Sequence, residues 1–314
     1  MASFLPQFLV CLSGPTGAGK TAAALALAEA FPVSVINADS RQVYRDFPLV
    51  TAQPSPGERA RCPHLLYGFL PTEEKLGAGE YARLAAAAIR EESEKGRLPV
   101  LVGGTGLYFK ALLEGIAPIP DIPPDISAHW EKRCDEEGSA ALHAFLTECD
   151  PVYAAKIHPN DRQRIMRALE VWQATGKPFS WWHARPMEAP PYAACKIGLE
   201  LPMAELEPIL QRRIELMLQA GALEEAETAL KRCADPEAPG WSGIGCAELH
   251  AHLSGRISLE ECRALWFKNT RAYAKRQNTW FRADKDIRRF RPEETEAIVR
   301  HVLEAKAELR VLEK

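Results

Sequence analysis

The sequence has no marked excess of either charge, no closely spaced cysteine pair and no apolar run long enough to cross a membrane. Its 314 residues carry a net charge of −3, so any nucleic-acid contact has to depend on local basic patches. The eight cysteines are scattered without a CxxC pair, which is typical of reduced thiols and excludes a zinc site of the usual spacing. Apolar stretches such as Ala22–Ala28 are far shorter than the roughly 20 residues that span a bilayer, and the first residues lack the basic segment of a secretion signal. We therefore expect a cytoplasmic protein that is neither exported nor embedded in a membrane.

Apolar runs and helical patterns alternate in the N-terminal third of the chain. With 46% hydrophobic and 26% charged residues, the composition is globular and excludes a disordered or fibrous chain. The pattern predicts strands at Phe8–Leu12, Val33–Asn37 and Pro99–Val102, and helices at about residues 20–30 and at Tyr81–Lys95. Strands that alternate with helices of this length favour a parallel, doubly wound α/β sheet.

Two proline-rich segments mark the predicted domain boundaries. Ala117–Pro124 contains four prolines and Arg185–Pro191 is also rich in proline, so neither segment suits a helix or a central strand. The stretch between them shows helical patterns and few strand signals, which predicts an all-helical insertion. The predicted parts are an α/β core at 1–118 and 191–284, the insertion at 119–190, and a C-terminal helical tail at 285–314. Within the later parts the pattern predicts one strand, Cys195–Leu201, and the helices Ala204–Ala220, Ala222–Cys233, Leu259–Arg282 and Glu293–Leu312.

A phosphate-binding loop follows the first predicted strand. The residues that match the GxxxxGK[ST] pattern are Gly14, Pro15, Thr16, Gly17, Ala18, Gly19, Lys20 and Thr21. Such a loop turns backbone N–H groups and a helix N-terminus toward an anion, while the lysine adds a point charge and the threonine hydroxyl suits Mg²⁺. Because strand, motif and helix occur in the required order, the pattern predicts a di- or triphosphate site in a P-loop sheet, without indicating which phosphate.

Asp39 is the one acid that directly follows a predicted strand in this region. A P-loop kinase or ATPase normally carries an Asp at the end of another strand to hold Mg²⁺, but the strand Pro99–Val102 is followed by Gly-Gly-Thr-Gly. From spacing alone, Asp39 is a candidate metal ligand or general base. It also suits the cap of a following turn, because Asp is favoured at such positions.

Five motifs in a single order resemble the tRNA dimethylallyltransferase family, in its bacterial form, also known as the IPP transferase family. Together with the phosphate loop before them they extend from residue 14 to residue 282, and they comprise Asp39–Arg45, Gly103–Tyr108, His158–Glu170, Arg213 with Met217 and Gly221, and Thr270–Arg282. The resemblance implies an enzyme that transfers the dimethylallyl group from dimethylallyl diphosphate to N6 of the adenine next to a tRNA anticodon.

The resemblance implies that the phosphate loop binds dimethylallyl diphosphate rather than ATP, with Mg²⁺ near Thr21. Breaking the allylic C–O bond builds negative charge on the leaving diphosphate, which backbone amides, Lys20 and Mg²⁺ can stabilise. Arg213 matches the arginine by which the family contacts the diphosphate, and its planar fork suits that anion. Without the resemblance, Arg213 is equally well explained as a solvated helix charge beside Arg212.

The acceptor amine needs a base because its lone pair is delocalised into the adenine ring. The resemblance gives this role to Asp39 and implies that Thr105 hydrogen-bonds the same amine. The alternative for Gly103–Gly106 is a tight strand-to-helix turn without a catalytic role. Ser40, Arg41 and Gln42 are expected to contact the flipped adenine or its neighbour.

Two further segments are expected to bind tRNA. The first is Gln163, Arg164, Ile165, Met166 and Arg167 in the insertion, where Gln163 and Arg167 share a polar helix face and Ile165 belongs to an apolar stripe. The second is the stretch from Lys268 to Arg282, which includes Lys275 and Arg276, contains five basic residues and lacks acids. A basic helix face suits phosphate contacts, although a solvated charged face has the same pattern. Trp266, just before this stretch, and Tyr273 and Trp280 within it are seven residues apart and lie on another face of the predicted helix.

The chain departs from the family pattern after Ile244-Gly245, where Cys246-Ala247 replace an aromatic and a basic residue. This weakens any tRNA contact at that place. The nearest alternatives are an adenylate isopentenyltransferase, which acts on free AMP, ADP or ATP, a P-loop small-molecule kinase, and a non-catalytic RNA-binding module. The helical insertion and the basic C-terminal helix favour tRNA as the acceptor, since a mononucleotide requires neither. We expect a monomer.

Overall fold

A six-stranded, all-parallel sheet in the order β3-β2-β4-β1-β5-β6 forms the core of the larger of two compact units. The computed structural model describes residues 6–185 and 192–312. The strands are β1 Gln7–Ser13, β2 Val33–Asn37, β3 His64–Leu65, β4 Leu98–Gly103, β5 Tyr192–Leu199 and β6 Arg288–Phe290. The predicted parallel α/β sheet is therefore confirmed.

The helices in the described ranges are divided between the two compact units. They are α1 Lys20–Ala30, α2 Pro56–Arg61, α3 Ala78–Glu94, α4 Gly106–Glu114, α5 Pro124–Glu137, α6 Ser139–Cys149, α7 Pro151–Ala154, α8 Arg162–Thr175, α9 Phe179–His183, α10 Met203–Gln219, α11 Ala222–Arg232, α12 Cys246–Leu253, α13 Leu259–Ala283 and α14 Thr295–Leu312. None of those in the described ranges is long and apolar enough to cross a membrane.

The two faces of β1 bury their side chains in two different clusters. Leu9 and Cys11 pack with residues of α3, α4 and α13, while Val10 and Leu12 pack with residues of α1 and α14. This alternation follows from the two-residue period of a strand that is covered on both sides. Because β1 also pairs with β4 on one edge and β5 on the other, the loop after β1 leaves the sheet at its centre.

The smaller unit begins at Glu114, and its described part ends at residue 185. It contains the helices α5 to α9, around a core that includes Trp130, Leu142, Leu146 and Leu169. The predicted insertion, 119–190, begins later than this unit and ends outside the described residues.

The C-terminal segment belongs to the larger unit and is not a separate tail. β6 extends the sheet by pairing with β5, with Phe290 opposite Leu199. On α14, Ile298 and Val302 are buried in the same cluster as α1. This corrects the separate tail at 285–314, whose apolar residues at i and i+4 already indicate a packed helix face.

Candidate active site

The glycine-rich loop follows β1 and leads directly into α1. Gly14, Gly17 and Gly19 have φ values of 146°, 80° and 79°, which residues with a side chain rarely adopt. A Cβ at Gly14 would also lie 2.7 Å from the carbonyl oxygen of Leu199. The loop therefore depends on glycine for its shape. It ends at the N-terminus of an 11-residue helix, where backbone N–H groups and the helix dipole favour an anion.

Lys20 folds back onto this loop. Its Nζ donates to the carbonyl oxygens of Gly14 at 2.9 Å and Pro15 at 2.8 Å. Burial lowers the pKa of Lys20 to about 8, against the opposing effect of Asp39 and with a further lowering by Arg213. A diphosphate in the loop would favour the charged ammonium and offer Nζ oxygens in place of the two carbonyls.

Asp39 is held after the end of β2 by the side chain of Asn37. Asn37 Oδ1 accepts the backbone N–H of Asp39 at 2.9 Å, and Asn37 Nδ2 donates to the carbonyl oxygens of Asp39 and Leu66 at 2.9 and 3.0 Å. Asp39 Oδ1 in turn accepts the N–H of Arg41 at 2.9 Å. The carboxylate therefore stabilises a turn, as its alternative interpretation predicted, and it also lines two cavities.

Thr105 lies against the Asp39 segment because Gly103, which has no side chain, lets these two segments of the backbone approach closely. A Cβ at Gly103 would lie 2.0 Å from the carbonyl oxygen of Ala38. Thr105 Oγ1 accepts the N–H of Ser40 at 2.9 Å and donates to Ser40 Oγ at 3.3 Å. The structure thus brings the loop after β4 and the loop after β2 into direct contact, at the sheet edge where ligands of such sheets bind.

Two cavities meet at Asp39 and Arg213. The larger, of about 500 Å³, surrounds the phosphate loop and is lined by Lys20, Thr21 and Arg212. The smaller, of about 310 Å³, has a mixed lining, in which polar and charged side chains alternate with the apolar side chains of Val50, Leu210, Ile214, Met217, Ile244 and Trp266. Thr16, Thr51, Asp39 and Arg213 line both. The cavity at the glycine-rich loop therefore adjoins a second cavity, with a carboxylate and a guanidinium between them.

Arg213 lies on α10 and lines both cavities. Burial lowers its pKa, and the nearby Asp39 carboxylate opposes that shift. This is not the environment of a solvated helix charge. It places a cation opposite the phosphate loop.

Comparisons with known proteins agree with this geometry. A family model described as IPP transferase matches residues 42–284. A tRNA dimethylallyltransferase of Nitratidesulfovibrio vulgaris (strain DP4) is 58% identical and covers 95% of this chain and 96% of that protein. The chain belongs to the IPP transferase family.

Two solved structures extend the family likeness to the fold. The full-length tRNA isopentenylpyrophosphate transferase of Bacillus halodurans is 33% identical, with a TM-score of 0.73, and the match covers 98% of this chain and 99% of that one. A eukaryotic dimethylallyltransferase described as acting on tRNA is 28% identical, with a TM-score of 0.74, over 87% of this chain and 69% of that one. Family membership favours the main interpretation of the sequence over a small-molecule kinase.

Helix α13, in the motif that pointed to this family, contributes more to the site than the sequence predicted. Arg276 lines the smaller cavity, with its guanidinium 5.7 Å from the ring centroid of Tyr273, whereas Lys275 is exposed and does not line either cavity described here. Tyr273 also lines this cavity; burial raises its pKa to about 12, with Asp39 adding to the rise and a hydrogen bond with Thr105 opposing it. Tyr273 and Gln277 are site residues that the sequence analysis did not assign.

Gln42 and Arg41 make internal contacts that the sequence did not indicate. Gln42 Nε2 donates to the carbonyl oxygens of Thr51 and Ala52 at 3.0 and 2.8 Å, so only its Oε1 is left to contact a base. The guanidinium of Arg41 donates to Ser242 Oγ at 2.8 Å. Both side chains still line a cavity, Gln42 the larger and Arg41 the smaller, and Ser40 lines the smaller as well.

The oxygen donors at the phosphate loop fit Mg²⁺ only if the substrate supplies further oxygens. Thr21 and Asp39 line the same cavity, and hydroxyl and carboxylate oxygens are ligands that Mg²⁺ accepts. The described residues contain no group of three or more His, Cys, Asp or Glu side chains that could hold a metal ion. The site therefore suits an ion that reaches the protein with a diphosphate and keeps several waters.

The segment predicted to bind tRNA in the insertion divides between surface and core. Ile165 is buried in the core of the smaller unit, where its side chain belongs to the helix packing, so a tRNA contact at this residue stays a prediction for its backbone. Gln163, Arg164 and Arg167 are exposed, and Arg167 pairs with Glu170 at 3.3 Å. Met166 is partly buried against the same core.

Cys246, where the sequence departs from the family pattern, is also buried in the core and not exposed at the surface. Cys246 is buried in a cluster that includes Trp241 and Trp266, while Ala247 is exposed. The buried Cys246 side chain is therefore not available for the tRNA contact that this replacement was expected to weaken.

Proposed function

We propose that the protein transfers the dimethylallyl group of dimethylallyl diphosphate to N6 of the adenine next to the anticodon of a tRNA. The observation that carries this proposal is the junction of the two cavities at Asp39 and Arg213. A diphosphate in the larger cavity and an acceptor base entering the smaller one meet beside a carboxylate. Membership of the IPP transferase family supports the same chemistry.

The phosphate loop and Arg213 act on the leaving group. As the allylic C–O bond breaks, its electron pair passes to a diphosphate oxygen, and the N-terminus of α1, Lys20 and Arg213 stabilise the growing negative charge. Thr21 would hold an Mg²⁺ ion that arrives with the diphosphate, and such an ion would supply further neutralisation of this charge. These groups are fixed before the reaction, so little reorganisation is needed as the charge develops.

Asp39 and Thr105 act on the nucleophile. The N6 lone pair forms the C–N bond while the Asp39 carboxylate accepts the proton that N6 loses. Thr105 Oγ1 faces the same segment through its contacts with Ser40, and we propose that it hydrogen-bonds the amine and directs it. Proximity of the two reactants then accounts for much of the rate.

The surrounding residues supply the RNA contacts in this proposal. Arg276 and Tyr273, at the wall of the smaller cavity, suit a base taken out of its stack, because an aromatic ring and a guanidinium plane both stack on bases. We propose that the exposed side chains of Gln163, Arg164 and Arg167 contact the sugar-phosphate backbone of the tRNA. We further propose that the enzyme acts as a monomer in the cytoplasm, where its tRNA substrate is.

A single-turnover assay of Asp39→Asn tests the proposed base, with labelled dimethylallyl diphosphate and unmodified tRNA. The amide keeps the size of the carboxylate but cannot take the proton, so we expect the rate to fall by about a hundredfold or more, with tRNA affinity nearly unchanged. Asp286→Asn is the control, because Asp286 is an exposed carboxylate that lines neither cavity. Labelling of AMP instead of tRNA by the unaltered protein contradicts the proposed acceptor, and an unchanged rate for Asp39→Asn contradicts the proposed base.

A further inference from the structure

A buried amide on α13 joins two loops of the site. Gln277 is 3% exposed. Its Oε1 accepts the backbone N–H of Thr16 in the phosphate loop at 2.9 Å, and its Nε2 donates to the carbonyl oxygen of Gly104 at 3.0 Å. One side chain therefore connects the loop after β1 with the loop after β4.

The primary amide of Gln277 makes both contacts at once. A primary amide offers a donor and an acceptor side by side, whereas a carboxylate only accepts and a thioether offers neither with useful strength. A buried polar group that loses its hydrogen-bond partner is disfavoured, because it no longer has water to replace that partner. The backbone groups of Thr16 and Gly104 therefore select glutamine at this position.

Gly104 leaves the space that this amide occupies. A Cβ at residue 104 would lie 1.9 Å from Gln277 Nε2. The φ of Gly104 is outside the left-handed range, so the residue is glycine because of space and not because of backbone conformation. An added methyl group would occupy the place of the amide.

The two joined loops hold the two proposed reactants. Thr16 belongs to the phosphate loop and lines both cavities. Thr105 follows Gly104 and is fixed to Ser40 beside Asp39. Any change in the separation of these loops changes the distance between the diphosphate and the amine.

We infer that Gln277 is a positioning residue for the transfer reaction. It sets the spacing between the phosphate loop and Thr105, and it contacts neither reactant. The inference depends on the proposed function for its effect on rate, but its effect on diphosphate binding is independent of the acceptor.

The first test compares Gln277→Glu with Asn278→Asp. Asn278 is the next buried amide on α13, and its Nδ2 contacts Met203 Sδ at 3.8 Å instead of a loop of the site. Gln277→Glu keeps an acceptor for Thr16 and loses the donor to Gly104, so we expect a single-turnover rate lower by about 10- to 100-fold. The tRNA dissociation constant should match that of Asn278→Asp, and both variants should remain folded at the assay temperature. Equal rates in the two folded variants overturn the inference.

The second test uses the complementary pair. Gly104→Ala should reduce the rate about as much as Gln277→Ala, because the new methyl group expels the amide. In the double variant the second change should cause no additional loss, as expected for residues that act as one unit. Losses that multiply show that the two positions act independently and overturn the inference.

Calorimetric titration with inorganic diphosphate and Mg²⁺ separates this inference from the proposed function. Weaker diphosphate binding in Gln277→Glu than in Asn278→Asp supports the bridge even if the unaltered protein fails to label tRNA, which would refute only the proposed function. Equal diphosphate affinities together with equal rates refute the bridge and leave the proposed function standing.

Discussion

Asn37 shows how one side chain sets the position of the proposed base. It is fully buried at the end of β2, and its amide makes three hydrogen bonds to the backbone of Asp39 and Leu66. The orientation of Asp39 is therefore fixed within a short segment of chain. Thr105, in contrast, is positioned through Ser40 and, by our inference, through Gln277.

The lowered pKa of Lys20 predicts a basic limb in the pH profile. Its pKa of about 8 in the free protein means that the ammonium is present below that pH and is lost as the pH rises through it. Because the diphosphate requires the charged form, kcat/KM for dimethylallyl diphosphate should fall above about pH 8. The measurement is kcat/KM at saturating tRNA from about pH 7 to about pH 9.5.

Lys20→Arg provides the control for this profile. A guanidinium stays protonated throughout that pH range, so the variant should be less active but without the basic limb. The same limb in the variant would assign it to another group, and a flat profile for the unaltered protein would contradict the role of Lys20.

The phosphate loop and Asp39 can be recognised because their neighbours in space are also neighbours in the chain, whereas Thr105 and Arg213 are distant in the chain and could be expected only from the family resemblance. The phosphate loop and the Asp39 segment have local patterns with a known chemistry. Gln277 and Thr16, however, are separated by 261 positions, and Tyr273 was assigned to an apolar stripe because aromatic spacing alone cannot distinguish a core face from a cavity wall.

At the scale of elements, a buried acid ties the end of α3 to the sheet. Glu92 is 3% exposed and accepts hydrogen bonds from Ser34 on β2 and from Lys95 and Arg97, which lie between α3 and β4. Burial alone would raise the pKa of Glu92, but the hydrogen bonds from Lys95, Ser34 and Arg97 outweigh it and lower the pKa to about 2.

This network predicts an acid-sensitive contribution to stability. Because the folded pKa of Glu92 is below its unfolded value of about 4.3, the contribution is present above that pH and is lost as the pH falls toward about 2. Glu92→Gln should lower the free energy of unfolding at neutral pH by about 2 kcal/mol, less than for a fully buried pair because Lys95 and Arg97 are partly exposed.

Urea unfolding at neutral pH and at about pH 3 measures this effect. The difference between the unaltered protein and Glu92→Gln should shrink at the lower pH. Glu91→Gln is the matched control, since the Glu91 side chain is 67% exposed and pairs with Lys95 on the surface. A similar destabilisation by both variants would show that the buried network has no special contribution.

The sequence predicted the long elements of the fold better than the short ones. Strands β1, β2 and β4 and helix α13 have enough residues for their period to be visible, and their predicted bounds lie close to those observed. β3 has two residues and β6 three, so no alternation can develop in them. Their strand character depends on the neighbouring strand that they pair with.

At the scale of the whole molecule, α14 is part of the hydrophobic core between α1 and the sheet. Ile298 and Val302 pack with α1 and the sheet. The helix therefore covers part of one face of the sheet. Its buried apolar residues contribute to the stability of the larger unit, which contains the candidate site.

Val302→Ala tests this role of α14. Val302 is fully buried, whereas its neighbour Leu303 is 51% exposed. We expect Val302→Ala to lower the free energy of unfolding by about 2 kcal/mol, and Leu303→Ala by less than about 0.5 kcal/mol. Denaturant unfolding of the two variants gives both values, and equal small effects would mean that the segment is an independent tail after all.

The central place of β1 in the sheet has a consequence for protein synthesis. Its partner β5 begins at Tyr192, and the register joins Leu12 to Ile197. Until β5 leaves the ribosome, β1 has one unpaired edge and apolar side chains on both faces, which is the state in which a nascent chain pairs wrongly or recruits a chaperone. The smaller unit, which begins at Glu114, is made during this interval. Elongation speed through that part of the message thus sets how long the nascent phosphate-loop strand stays unpaired.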